Sequence, residues 1–474
     1  MTRLPIAFAA ALATVLVAGC GQLVDGHAVS IYDDPFTVAG LAATTGPNGP
    51  RPGAPEPSLA VRGGDGSAAD RLAGAAVDDL AAFWTVEYPR AFAGDFRPVT
   101  DLMSWDPGVA PARSGTFCGD STHGVANAGY CIRDGSIGWD RTTLLPALMD
   151  TFGPMAVVMV IAHEYGHAVQ HDSGLAGDDD PTLVLEQQAD CFSGAYMRYV
   201  AADRSAQFTL NTSEGLNSVM AAMVAVRDTD PNDPSAVHGT AFERVTAFQI
   251  GFTDGARACT GIDEAEVETR RAQLPHQFTT PGDIGETAVT ERTVDLTVDS
   301  LQSVFALPER PRVSFAGADT GCPDATTTEP VSYCPATRTI GVSMPALVER
   351  GTPHDGNVDD LASDIRGDFG AYVLVASRFT LAVQQHTGDS LTDPKTALRA
   401  ACLSGVWTAA TASGSAGGLS LSPGDLDEAV SGLLTDGLMA SDIDGVTVPS
   451  GFARVDAFRS GVLGGRDACT NRYQ

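Results

Sequence analysis

Two histidines and a glutamate in the first half of the chain have the types and spacing of a zinc site. They are His163, Glu164 and His167, in the order His-Glu-Tyr-Gly-His. On an α-helix, residues four apart lie one turn apart on the same face, so the two imidazoles could bind one Zn²⁺. Glu164 would lie beside the metal, where it could accept a proton from the activated water and later deliver it to a leaving amine.

Glu186 and Asp190 could complete this site. A catalytic zinc ion takes three protein ligands and keeps one position open. Glu186 would be the third ligand. Asp190, one helical turn later, would accept the free N–H of a ligating imidazole, for which His163 is the best candidate. Two acidic residues on a solvated helix face are the alternative interpretation of the same pattern.

Two more histidines follow the motif. His238 precedes the last helix expected in this half, and it could hydrogen-bond the oxyanion of a tetrahedral intermediate. A surface histidine near a helix N-terminus would give the same sequence. His171 lies one turn after His167, and we expect it to be peripheral because the zinc ion already has its ligands.

Two helices must bring these residues together. The segment 155–162 is apolar on all sides, which predicts a buried helix from Pro154 to His171. Pro181 suits the first turn of a second helix, which would carry both acidic residues on one face. The polar segment 178–181 would form the turn between the two helices.

The N-terminus predicts export and lipidation. Arg3 precedes an apolar run from Leu4 to Val17. A bilayer span takes about 20 residues, so the run better fits a secretory signal. Its end, Val-Ala-Gly-Cys20, looks like a bacterial lipobox, which would place the chain on the outer face of the cell membrane, anchored through lipidated Cys20. An ordinary signal peptide with an incidental cysteine is the alternative.

One unit is predicted to occur twice in the chain. The helix at 154–171 recurs at 369–385, and Ala189–Gly194 recurs as Ala400–Gly405. The second copy has none of the proposed site residues. Their replacements, in chain order, are Ser377, Arg378, Leu381, Ala397, Ala401 and Val448. We therefore expect the second copy to be non-catalytic, and to stabilise the first copy or bind an envelope partner.

The nine cysteines fit this duplication. The lipid takes one, and four remain in each copy at matching positions. An even number in an exported chain implies disulfides. Each set of four allows three pairings, and sequence alone does not choose among them. The pairings we favour are Cys118–Cys131, Cys191–Cys259, Cys322–Cys334 and Cys402–Cys469.

Four separated blocks of the first copy resemble the bacterial neutral zinc metallopeptidase family, within the gluzincin group. The matching residues are Tyr130-Cys131, His163 to His167 with Val169-Gln170, Glu186 with Gln188 to Cys191 and Gly194, and His238-Gly239 with Glu243-Arg244-Val245, Phe248 and Gly251. The match covers roughly residues 72–262, and Ala168 departs from the family's more common pattern. The resemblance implies a mainly α (α+β), zincin-like domain with a small sheet and peptidase activity.

The resemblance also implies an edge strand beside the zinc. We expect this strand to contain Ile137–Asp140, so that an extended peptide could add to it antiparallel. Gly138 would allow the close approach of the substrate backbone.

Length and charge limit the remaining possibilities. A chain of 474 residues exceeds one hydrophobic core. Its net charge of −30, with Lys395 as the single lysine, argues against a nucleic-acid partner. The predicted organisation is a signal peptide and lipobox (1–20), a flexible Gly/Pro-rich linker (21–70), a metallopeptidase domain (71–262), a linker (263–290) and a degenerate copy (291–474).

These patterns favour a membrane-anchored, extracytoplasmic zinc metalloendopeptidase. The alternative from another class is a zinc-stabilised envelope binding or scaffold lipoprotein without catalysis. A weaker alternative is an amidase that acts on peptidoglycan peptides.

Overall fold

The computed structural model describes residues 37–177, 180–228, 237–271, 274–278, 285–353, 361 and 364–473. The signal peptide and Cys20 lie outside the described residues, so export and lipidation stay predictions. Within the described part of the chain, no helix is long and apolar enough to cross a bilayer.

The first half of the chain is mainly helical, with short strands near its start. Its elements are β1 (Thr37–Val38), β2 (Leu41–Ala42), β3 (Gly49–Pro50), β4 (Val61–Arg62), α1 (Ala68–Ala91), β5 (Leu102–Trp105), β6 (Thr116–Phe117), β7 (Asp120–Ser121), β8 (Ala128–Cys131), β9 (Ser136–Asp140), α2 (Leu144–Phe152), α3 (Pro154–Ser173), α4 (Thr182–Ala201), β10 (Phe208–Thr209), α5 (Glu214–Ala225), α6 (Ala241–Asp254), α7 (Ala256–Cys259) and α8 (Glu264–Arg271).

The second half has its main helices and strands in the same order. Its elements are α9 (Glu291–Phe305), β11 (Arg312–Ser314), β12 (Val331–Cys334), β13 (Thr339–Val342), α10 (Met344–Arg350), α11 (Asp368–Thr387), α12 (Pro394–Ala412), α13 (Asp425–Thr435), a 3₁₀ turn (Leu438–Ala440) and α14 (Gly451–Arg472). Helices make up 51% of the described residues and strands 10%, so the prediction of a mainly α, α+β fold with small sheets is confirmed.

The two largest sheets share one strand arrangement. The four-stranded sheet has the order β4-β5-β9-β8, in which β9 pairs parallel to β5 and antiparallel to β8. The three-stranded sheet has the order β11-β13-β12, in which β13 pairs parallel to β11 and antiparallel to β12. In each half the antiparallel pair is a hairpin that is followed directly by a short helix, α2 in the first half and α10 in the second.

Four disulfides hold the described structure together, and all four predicted pairings are confirmed. They are Cys118–Cys131, Cys191–Cys259, Cys322–Cys334 and Cys402–Cys469. The two long-range bonds join α4 to the end of α7, and α12 to the end of α14. Such bonds stabilise a fold mainly because they restrict the unfolded chain.

Glycines let the long helices of each half cross in backbone contact. A Cβ on Gly251 would lie 1.7 Å from the carbonyl oxygen of Cys191, so α6 and α4 could not approach this closely with any other residue. Gly461 of α14 has the same relation to Cys402 of α12, at 1.8 Å. Each crossing therefore lies beside a disulfide cysteine.

The two halves contact each other through α5, α6, α13 and α14. The rings of Phe252 and Phe452 lie 4.9 Å apart, and the side-chain amide of Gln249 donates to the Phe452 carbonyl at 2.9 Å. Near the start of α6, the backbone N–H of Phe242 donates to Asp427 at 3.0 Å. These buried contacts support the helices that carry part of the candidate site.

The prediction of a flexible linker over 21–70 is wrong for residues 37–70. Strand β3 pairs with β10, and β4 extends the four-stranded sheet parallel to β5. Thr44 and Thr212 also exchange hydrogen bonds across 168 residues of sequence. Glycine and proline lower the local preference for helix and strand, but hydrogen bonds to distant residues fix this segment.

The predicted linker 263–290 also contains ordered structure. Helix α8 buries Val267, and Arg271 forms an ion pair with Glu243 of α6. Arg270 likewise donates to Gln187 of α4. The charged sequence of α8 is typical of a solvated linker, but these two arginines bind it to α4 and α6.

The prediction of an edge strand at Ile137–Asp140 is wrong. These residues belong to β9, which lies between β5 and β8, so β8 is the edge strand. A Cβ on Gly138 would lie 2.6 Å from the Phe117 ring and 2.7 Å from the Trp105 ring. The glycine therefore makes room for aromatic side chains, and the strand's hydrogen bonds are already used within the sheet.

We predict that the long-range disulfide of the first half contributes more stability than the short one. Replacing Cys191 and Cys259 together by Ser should lower the free energy of unfolding by about 2–5 kcal/mol, because this bond spans 68 residues. The Cys118 and Cys131 double variant is the control, with a span of 13 residues and a smaller expected loss. Denaturant titration measures both, and an equal loss would contradict the prediction.

Candidate metal centre

A close contact between α3 and α4 positions the candidate ligands. A Cβ on Gly166 would lie 3.0 Å from the Cα of Ala189, so the two helices nearly touch at this point. Helix α3 carries His163 and His167 on either side of Gly166, and α4 carries Glu186 and Asp190 around Ala189. The helix contact thus brings the two sequence motifs together.

His163, His167 and Glu186 form a compact group of possible metal ligands. One donor atom from each lies within 4.8 Å of the others. The Nε2 atom of His163 lies 3.0 Å from one Glu186 oxygen, and the Nε2 atom of His167 lies 3.5 Å from the other. Two imidazole nitrogens and a carboxylate oxygen suit a divalent transition metal such as zinc. The structure therefore brings together the three predicted ligands in a group that could hold a metal.

A buried charge network lies behind His163. The Nδ1 atom of His163 is 2.7 Å from Asp190, as expected from the sequence. Arg244 of α6 donates two hydrogen bonds to the same carboxylate, at 2.9 and 2.8 Å, and a third to the Val226 carbonyl. Asp190 is fully buried, so it needs this compensation. With Nδ1 fixed by Asp190, Nε2 of His163 is the nitrogen that faces the ligand group.

A second network orients His167. Its Nδ1 atom lies 2.8 Å from the side-chain oxygen of Gln170. The Gln170 amide group donates to Gln188 and to the Leu185 carbonyl, and Gln188 donates in turn to the Ile262 carbonyl. This chain of amides holds the Nδ1 side of His167, which leaves Nε2 for a metal.

The pKa values reflect these contacts. Burial by itself opposes protonation of His163, but Asp190 and then Glu186 outweigh it and raise the pKa of His163 to about 10. For His167, burial is outweighed by the hydrogen bond to Glu186, and its pKa is also raised. Burial alone would raise the pKa of Asp190. The positive charge of Arg244, and next that of His163, outweigh burial and hold this pKa below its ordinary value.

His238 lies at the more exposed side of the group. Its Nε2 atom is 3.8 Å from Glu186, and its Nδ1 atom is 3.3 Å from Asp228. The side chain is 40% exposed, compared with 6% for His163. A ring in this position could contact a bound substrate, and it lies outside the group of three donor atoms described above.

Glu164 and His171 take different positions from the ligands. Glu164 is half-buried on α3, directly after His163. His171 lies 3.3 Å from the Tyr130 hydroxyl, next to the edge strand β8. The structure therefore places His171 outside the ligand group.

Arg244 and Gln170 received no role from the sequence alone. Gln170 follows His167 by three residues, so its position on the same helix face was a usable signal. Arg244 comes from α6, and its contact with Asp190 depends on how α6 crosses α4. Arg244 belongs to the sequence block Glu243-Arg244-Val245 that resembles the peptidase family, but the block does not indicate which residue Arg244 contacts.

Comparisons with known proteins add sequence relatives without an assigned activity. No family model and no solved structure matches this chain. Proteins of Mycobacterium tuberculosis and Mycobacterium bovis are 30% identical over 166 residues, which is 30% of this chain. The match spans 56% of the length of these relatives, which are described only as uncharacterized proteins. The activity must therefore be argued from the site.

We predict that Arg244 supports metal binding without being a ligand. Arg244→Met should weaken zinc affinity about 10- to 100-fold, because Asp190 would lose its buried counter-charge and no longer hold His163. Competition with a chelating dye measures the affinity. Arg257→Gln, an exposed residue on α7, is the matched control. Unchanged affinity in a folded Arg244→Met protein would contradict this role.

Metal binding should release protons at neutral pH. The pKa of His163, raised to about 10, means that the metal-free site holds a proton on this imidazole, and this proton must leave when a metal binds. Apparent affinity should therefore fall as the pH falls, about tenfold per pH unit for each proton displaced. Calorimetric titration of zinc in buffers with different ionisation enthalpies counts the protons. Identical heats in all buffers would show that none is released.

Proposed function

We propose that the first half of the chain is a zinc-dependent metallopeptidase that hydrolyses peptide bonds. The observation that carries the proposal is the convergence of His163, His167 and Glu186 within 4.8 Å, with Glu164 next to the first ligand. This set supplies three protein ligands, which is the number that catalytic zinc sites use. The buried network behind it would keep those ligands in place when substrate enters.

The residues around this group can be assigned roles in the reaction. Zinc, when bound, supplies Lewis-acid activation of water and of the substrate carbonyl. Glu164 would take the proton from the attacking water and pass it to the leaving amine. His238, on the exposed side, would donate a hydrogen bond to the oxyanion. Asp190, Arg244 and Gln170 would hold the two imidazoles in place.

We also propose that the substrate is an extended peptide that adds to β8. The sheet order leaves β8 at the edge of the four-stranded sheet, and Tyr130 of this strand contacts His171 of α3. A free strand edge offers backbone donors and acceptors to a peptide of many sequences. This mode of binding is consistent with an endopeptidase.

The second half is proposed to be a duplicated copy that has lost catalysis. The supporting observations are the shared element order, the matching strand arrangement, the equivalent disulfides and the equivalent glycine contacts at the helix crossings. Helices α3 and α11 both span 20 residues, so His163, Glu164 and His167 correspond to Ser377, Arg378 and Leu381.

At the position that corresponds to Glu164, the second half has Arg378, a cation with a structural role. Its buried guanidinium donates to the carbonyl oxygens of Leu438, Ser441 and Asp442. These bonds tie the turn after α13 to the middle of α11. The second half would therefore stabilise the first half or bind an envelope partner. Either would be a scaffold role for this half of the chain.

The proposed location is the outer face of a bacterial cell membrane, with anchoring through lipidated Cys20. The four disulfides support an oxidising compartment, because such bonds rarely persist in the cytosol.

We predict that Glu164→Gln will keep zinc and abolish peptidase activity. Glutamine has a similar size but cannot accept the proton, so cleavage should fall by about 100-fold or more. A peptide-library digest with and without chelator measures cleavage, and elemental analysis measures zinc. Glu214→Gln, an exposed residue at the start of α5, is the control.

Two results would point away from a peptidase. Equal cleavage by Glu164→Gln and the unsubstituted protein would exclude Glu164 as the proton acceptor. Stoichiometric zinc in the unsubstituted protein, without cleavage of any peptide or muropeptide, would favour the scaffold function.

A further inference from the structure

Three acidic side chains from separate segments meet at the start of α11, in the second half. They are Glu286, which precedes α9, Asp368, the first residue of α11, and Glu428 of α13. One carboxylate oxygen from each lies within 4.8 Å of the others. Asp425, one turn before Glu428, adds a fourth, buried carboxylate, and its charge helps to raise the pKa of Glu428 after the effect of burial. This acidic cluster lies apart from the candidate zinc site.

Hydrogen bonds within the protein satisfy only part of this cluster. Glu286 accepts the backbone N–H of Asp368 at 3.1 Å, and Glu428 accepts that of Gly370 at 2.9 Å. The Oδ2 atom of Asp368 accepts the N–H of Thr287 at 3.1 Å. Asp368 is only 6% exposed, and its buried Oδ1 atom has no hydrogen-bond donor among the described residues. A buried oxygen of this kind calls for a proton or a cation.

Capping of α11 explains one carboxylate but not three. A helix N-terminus favours a negative charge through its free N–H groups, and one or two acceptors suffice for that purpose. Three carboxylates within this distance repel each other in a buried environment. Burial, followed by the charge of Glu286, raises the pKa of Asp368 to about 7. At neutral pH the cluster must therefore hold protons or bind a cation.

The cluster belongs to the second half alone. Counted from the starts of α3 and α11, the position of Asp368 corresponds to Pro154 in the first half. Counted from the starts of α5 and α13, Glu428 corresponds to Asn217. The framework that the two halves share therefore does not require a carboxylate at the position of Asp368 or Glu428.

We propose that Glu286, Asp368 and Glu428 bind one calcium ion. All the donors are carboxylate oxygens from three separate segments, and calcium accepts six to eight oxygen ligands in irregular geometry, with water completing the shell. Magnesium demands a regular octahedron and fits such a site less well. The ion would join the segment before α9 to α11 and α13, and so stabilise the second half.

Calorimetric titration of calcium chloride into the full-length, zinc-saturated protein tests this proposal. Zinc saturation keeps calcium out of the site in the first half. We expect one calcium ion to bind, with a Kd of about 10⁻⁴–10⁻³ M at neutral pH, and to raise Tm in a parallel scan. Glu428→Gln and Asp368→Asn should each weaken binding about tenfold or more. Glu349→Gln, an exposed residue on α10, should bind calcium as the unsubstituted protein does.

Each alternative outcome has a definite meaning. No saturable heat and no rise in Tm for the unsubstituted protein would overturn the proposal, whatever the variants do. Calcium binding that Glu428→Gln and Asp368→Asn both leave intact would place the ion elsewhere. A cluster that only shares protons would make Glu428→Gln more stable in calcium-free buffer while calcium has no effect on the unsubstituted protein. If the variants do not fold, the calcium titration of the unsubstituted protein and its effect on Tm decide the matter.

Discussion

The fully buried carboxylate of Asp190 bridges His163 and Arg244, and the geometry of the candidate site depends on this bridge. It is a charged group in the protein interior, so it requires compensation from both neighbours. The same bridge connects α3, α4 and α6, the three helices that surround the site. Removal of one partner would leave a buried charge and would also free the imidazole that faces Glu186. Stability and ligand orientation are therefore coupled at this residue.

The second half has the same order of main helices and strands, but it lacks the buried carboxylate that requires compensation in the first half. Where the first half has Asp190 and His163, the aligned positions are Ala401 and Ser377, so no charge needs compensation there. Arg378, the next residue along α11, is a buried cation whose guanidinium donates to backbone carbonyls instead of carboxylates. The glycine contacts and disulfides remain. The framework can thus stand without the site, and the site's polar network is an addition that the first half alone carries.

The sequence predicted the parts of the structure that depend on local patterns. The apolar run before His163 gave the buried helix α3, and the matching positions of the cysteines in the two halves indicated disulfides, of which the favoured pairings were one choice among three in each half. Parts that depend on distant contacts were missed. Residues 37–70 look like a flexible linker until β10 and β5 supply their partners. Gly138 resembles a site of substrate approach until the Phe117 ring is seen against it, and Arg244 has no visible role until α6 crosses α4.

The proposed peptidase activity requires that His163, His167 and Glu186 hold one zinc ion with a position left open. Anomalous diffraction at the zinc edge, from crystals of the zinc-loaded protein, tests it most directly. We expect one strong peak at about 2.0–2.2 Å from both Nε2 atoms and from a Glu186 oxygen. A peak elsewhere, or a Glu186 side chain turned away from the paired rings, would contradict it.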